Sequence, residues 1–102
     1  MSVLHIVNKS PFDRNALDTC LRLAKADSAI LLIEDGIYAV QKNTAVAEKL
    51  QQALSRHQVY ALKPDLDARG LSSESAIDGI SLVDYDGFVT LTTDYDKLQS
   101  WL

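Results

Sequence analysis

Short, largely apolar runs alternate along this chain with longer stretches in which apolar residues recur every three or four positions. Val3 to Val7 is the first run, closed by Asn8-Lys9-Ser10-Pro11, and reads as a buried strand. Ser10 is placed to cap the next helix, with Pro11 at its first position and Asp13 closing a weak capping box; Asp13 is a rival cap. That helix is predicted to reach about Lys25. Ala16, Leu17, Cys20, Leu21 and Ala24 share one face, and Arg14, Asp18, Arg22 and Lys25 fall largely outside it.

Ala29 to Ile33 is apolar throughout, which suits a parallel strand covered on both faces. Glu34-Asp35-Gly36 ends it, with Asp35 as the expected cap of a short helix through Ile37, Ala39 and Val40 and Gly36 as a turn residue. A further helix is expected from about Thr44 to Ser55, with Val46, Ala47, Leu50 and Leu54 on one side. Gln58 to Leu62 is the third strand. Pro64 opens a short helix through Leu66 and Ala68, which Gly70 ends as a C-cap would. Ile80 to Val83 is the fourth strand. The segment from Asp86 to about Thr93 has strand propensity, but Tyr85, Phe88, Val89 and Thr92 keep helical spacing. Strands alternate with helices everywhere else, so helix is the expectation. Leu98 to Leu102 reads as a last, short edge strand. The pattern predicts one small α/β domain over residues 1–102, a doubly wound, mostly parallel sheet of four or five strands, with sites expected at the strands' carboxyl ends.

Composition narrows what such a domain can do. A chain of 102 residues can bury one modest core without staples. One cysteine allows no internal disulfide, which points to a reducing compartment, and a cytoplasmic location is expected. The net charge is −4 and the ten Lys and Arg residues are scattered, so direct nucleic-acid binding is not expected. Asn8 to Pro11 interrupt any signal-peptide core, and no apolar run is long enough to span a membrane. No Gly-rich loop follows a strand, and neither His5 nor His57 has a Cys or His at ligand spacing. Neither a nucleotide, a metal nor another cofactor is expected.

Several strings in this order resemble the DsrH/TusB family. They are Leu4-His5 with Asn8-Lys9-Ser10-Pro11, and the stretch from Leu31 through Glu34-Asp35-Gly36 to Ala39. A third block is Val59-Tyr60-Ala61-Leu62, Asp65-Leu66 and Ala68-Arg69-Gly70-Leu71. The last is Asp84-Tyr85, Phe88-Val89 and Leu91-Thr92, ending near Trp101. The resemblance spans nearly the whole chain. It implies a DsrE-like fold and membership of a heterohexameric sulfur-relay complex with DsrE/TusD-like and DsrF/TusC-like sister subunits. In such complexes a cysteine on the larger partner carries persulfide sulfur to a DsrC/TusE-like acceptor. One branch serves tRNA wobble 2-thiouridine synthesis and the other dissimilatory sulfur oxidation. DsrH-type members tend to carry a cysteine in the first helix, where Cys20 sits, which tilts the resemblance toward sulfur oxidation.

Cys20 is therefore the candidate sulfur carrier, because transfer needs a thiolate and this is the only thiol. Its helical neighbours Ala16, Leu17, Leu23 and Ala24 include no cation, so a structural cysteine packed against the sheet is the competing reading. Under that reading the chain is a structural or regulatory module of the complex. His5 reads as a satisfied core or interface histidine, or as a base near a partner's persulfide. Tyr38, Tyr60, Phe88 and Trp101 are candidate interface aromatics, and a Trp one residue from the end is best explained by docking onto the body or a partner.

Overall fold

The computed structural model describes residues 3–10, 12, 15–25 and 28–101. Strand β1 (Val3–Val7) leads into helix α1 (Ala16–Leu23) and strand β2 (Ala29–Leu32). A 3-10 segment (Glu34–Val40) and helix α2 (Ala47–Ala53) connect to β3 (Gln58–Leu62). Helix α3 (Lys63–Ala68) and a short 3-10 turn (Ser73–Ser75) connect to β4 (Ser81–Val83). Helix α4 (Tyr85–Asp94) then precedes β5 (Lys97–Trp101). All five strands are parallel, in the order β4-β3-β2-β1-β5. The sheet expected from the sequence is present, with β5 as an edge strand. The last residue of the expected strand, Leu102, lies outside the described residues.

The strand order explains the two unequal layers. From β1 the chain steps outward through β2, β3 and β4, and right-handed crossovers place α1, α2 and α3 on one face. The step from β4 back to the far side of β1 runs the other way, so α4 lies on the opposite face. The larger core accordingly joins Val7, Ile30, Leu32, Val59 and Ala61 to Leu17, Cys20, Ile37, Leu50 and Leu66. The smaller one joins Leu4, Ala29 and Leu31 to Leu91, with Phe88 and Tyr60 alongside. Alternate residues of each central strand thus feed opposite layers. All four residues of β2 are buried, which is why that strand is apolar throughout.

Helix ends differ from the sequence expectation in two places. Ser10 does not cap α1; its hydroxyl accepts from the Phe12 amide at 3.2 Å, and α1 begins at Ala16 after Asn15. Pro11, Asp13 and Arg14 lie outside the described residues. Asp35 does not cap the 3-10 segment, because Ile33 holds that position and the Asp35 carboxylate is engaged by Arg69. Gly36 is in the turn that follows β2, its amide donating to the Ile33 carbonyl at 2.9 Å. Its Cα lies against the end of β1, and a Cβ there would fall 2.3 Å from the Val7 carbonyl oxygen, so no side chain fits. Gly70 ends α3 with φ +69°. The Asp84 carboxylate accepts from the Gly87 amide at 2.8 Å and caps α4, which selects helix where strand propensity competed.

Candidate functional site

The strand order reverses between β1 and β5, the place where doubly wound sheets commonly bind. The register sets Val7 beside Trp101 and His5 beside Gln99, so His5 and Trp101 project from the same face one step apart. The Trp101 indole Nε1 donates to His5 Nδ1 at 3.0 Å, and the rings lie 5.9 Å apart. An indole N–H can only donate, so Nδ1 accepts, and His5 is neutral with its proton on Nε2. Burial first, and the neighbouring His57 second, hold its pKa below the usual imidazole value.

At the carboxyl ends of β1, β2 and β3 the chain builds a polar platform. Glu34 has φ +50°, a strained conformation for a side-chain-bearing residue. Its amide donates to Asp65 Oδ2 at 2.7 Å, which pins the turn to the start of α3. Arg69, at the C-cap of α3, donates through Nε to Asp35 Oδ1 at 3.1 Å and through Nη1 to the Asp65 carbonyl at 3.3 Å. Asn8 Nδ2 lies 3.5 Å from Glu34 Oε2. Arg69 is the one cation among the three carboxylates of this group and pairs with Asp35 and Asp65, and the group contains no thiol or imidazole. It is suited to rigid presentation of the strand ends and not to transfer chemistry.

Cys20 lies on the inner face of α1 with no exposed surface. Leaving water raises its thiol to about 12, and no neighbouring charge offsets that effect. Among the described residues, folding therefore brings no activating group to Cys20. His57 is also buried; its Nδ1 lies 3.1 Å from the Ser28 carbonyl, so that nitrogen carries the proton. Tyr38, Tyr60 and Phe88 are half-buried, and Trp101 packs its ring on the larger core. Among the described residues no three His, Cys, Asp or Glu side chains converge as a metal site. No helix among them is long and apolar enough to cross a membrane.

Comparison with known proteins bears on the family and the fold. The family described as DsrH-like protein matches residues 9–98. The chain belongs to the DsrH/TusB family. It is 32% identical to protein TusB of Pectobacterium parmentieri over 97% of this chain and the whole of that one. It is 41% identical to protein TusB of Salmonella dublin over 79% of this chain and 82% of that one. The fold matches the crystal structure of the ychN protein from E. coli, with a TM-score of 0.85 at 22% identity and 98% coverage of both chains. A Thermotoga maritima protein solved in solution by NMR superposes with a TM-score of 0.67 at 27% identity, over 90% of this chain and 92% of that one.

In this DsrH/TusB-family chain, two pairings were not visible in the sequence. Asp65 on α3 and Arg69 at its C-cap are four apart, a spacing that flags a helix-face pair. Nothing local, however, points to Glu34 or Asp35 as their targets. His5 and Trp101 were both singled out, but their union depends on β5 pairing with β1.

Proposed function

We propose that this chain is a scaffolding subunit of a cytoplasmic sulfur-relay complex, seating a sister subunit's persulfide-bearing cysteine and not carrying sulfur itself. Membership of the DsrH/TusB family supports the sulfur-relay role and the company of DsrE/TusD-like and DsrF/TusC-like subunits. The observation that carries the scaffolding part is the buried, unactivated Cys20. In a relay step the acceptor's thiolate attacks the outer sulfur of a persulfide, forms a new S–S bond, and releases the donor's thiolate. Cys20 could enter such a step only if α1 left the sheet. The catalytic cysteine is then on a partner, and the final acceptor is a DsrC/TusE-like protein.

The name TusB borne by relatives at 32–41% identity favours the tRNA 2-thiouridine branch. The sulfur-oxidation branch is the second reading, favoured by a cysteine in the first helix, where DsrH-type members tend to carry one.

The test is co-expression with both sister subunits, followed by native mass measurement and transfer of labelled sulfur to the acceptor. A stable complex is expected, with transfer by the Cys20→Ala complex within about twofold of the parent. A chain that stays monomeric beside both sisters would overturn the subunit role. An intact Cys20→Ala complex that no longer transfers would return the carrier role to Cys20. Loss of 2-thiouridine on deletion of the gene would select the first branch, and unchanged 2-thiouridine the second.

A further inference from the structure

A groove of about 430 Å³ runs between α1 and α2, and none of the carboxyl-end platform residues line it. Arg22, Lys49 and Arg56 line it, three of the ten Lys and Arg residues in a chain of net charge −4. Among the described residues the one carboxylate on its wall is Asp18, which is already engaged by Lys49 at 2.7 Å. Neither the Arg22 nor the Arg56 guanidinium has a hydrogen-bond or ion-pair partner among the described residues. His57 also lines the groove and is 7% exposed, its ring held by the Ser28 carbonyl. Leu21 and Ala53 add an apolar strip.

The two helices are crossovers between parallel strands on one sheet face, so they run the same way. Their C-terminal ends therefore meet at the same end of the groove. Arg22 lies in the last turn of α1, where it complements the negative helix end without using its guanidinium fork, and Arg56 lies past the end of α2. Two unoccupied forks beside a pocket of small-ligand size are suited to bidentate capture of phosphate oxygens.

We propose that this groove binds a small phosphate-bearing ligand, held by Arg22 and Arg56, with His57 in the wall and the Leu21–Ala53 strip against the ligand's less polar part. The site requires no change in Cys20 and stands whether or not the relay reading holds.

The test is titration of the chain with inorganic pyrophosphate and, separately, adenosine 5′-monophosphate, followed by calorimetry and by NMR of the arginine Nε–H signals and of the side-chain amide of Gln52, which also lines the groove. Saturable one-to-one binding is expected, with shifts confined to the groove. The nucleotide binding more tightly than pyrophosphate would place the ligand's organic part on the apolar strip. Equal binding would place recognition in the phosphate alone. The Arg22→Gln/Arg56→Gln variant is expected to bind at least tenfold more weakly. Arg22→Lys/Arg56→Lys should fall between, because charge remains and the fork is lost. Lys63→Gln, on the far helix α3, should match the parent. No saturable binding of either probe, shifts elsewhere on the surface, or undiminished binding by the double Gln variant would each overturn the proposal. Should that variant fold poorly, the NMR mapping on the parent chain still decides.

Discussion

The indole of Trp101 donates to the imidazole of His5 across 3.0 Å, tying the last strand to the first through residues 96 positions apart. Trp101→Phe keeps a ring in place but leaves the buried Nδ1 without a donor. It should cost about 1–3 kcal/mol, lowering Tm by at least about 4 °C for a chain of this size. Replacing both residues by Phe should cost less than the sum of the single changes, because no orphaned acceptor remains. Thermal unfolding of the three variants measures this.

Burial of His5, with His57 nearby, makes stability depend on pH. His5 has a folded pKa below its usual 6.5, so the unfolded chain binds more protons in the window beneath that value. The stability it contributes is fully present above pH 6.5. It is lost as pH falls from there through the folded value. Tm should therefore drop between pH 7.5 and 5.5, and the drop should shrink in His5→Gln. Trp101 is the only tryptophan, so its emission reports the same transition directly.

Cys20 should be inert in the folded chain. With the thiol raised to about 12 and no exposed surface, iodoacetamide at pH 8 should leave it unmodified, while denaturant should open it to complete alkylation. Intact mass before and after denaturation checks this. Cys20→Ser, which puts a hydroxyl among apolar side chains, should destabilise by about 1–3 kcal/mol. Cys20→Ala is the cleaner variant for transfer assays.

Two glycines should respond differently to alanine. At Gly36 the added Cβ would lie 2.3 Å from a backbone oxygen that cannot move without shifting β1. Gly36→Ala should cost about 3 kcal/mol or more. At Gly70 the Cβ meets nothing within 4 Å, and φ +69° is the whole penalty. Gly70→Ala should cost roughly 1–2 kcal/mol. Denaturant midpoints of the two variants, at unchanged m-value, measure the contrast.

Most of the scaffold was legible because its signals are local. Gln58–Leu62 coincides with the expected strand, and α4 appears where helical spacing outweighed strand propensity. The helix starts were less legible, since Ser10 and Asp35 are both good caps by type. Ser10 instead turns the chain onto Phe12, and Asp35 is claimed by Arg69. Cap preference describes what a side chain can do for its own helix, and a partner from another element can outbid it.

The candidate site was only half legible. Cys20, His5 and Trp101 were all singled out from residue type and position, but their environments were not. Whether a helical cysteine faces the sheet depends on how its helix packs, and Cys20 turns inward from α1 into the core that includes Ile30 and Leu32. The carboxyl-end platform joins residues 31 and 34 apart, and no window along the chain spans that distance.

The sequence by itself determined which stretches become strands and helices, that β2 is covered on both faces, and that Gly70 ends α3. Each follows from periodicity or from the backbone freedom of one residue. Only the tertiary structure decided that β5 returns beside β1, that His5 is neutral beneath Trp101, and that Glu34 is pinned by Asp65. It also decided that the one thiol is sealed in the core. These outcomes rest on crossover direction and strand neighbourhood, which bring distant residues within hydrogen-bond or van der Waals reach and set the local dielectric that tunes their protons.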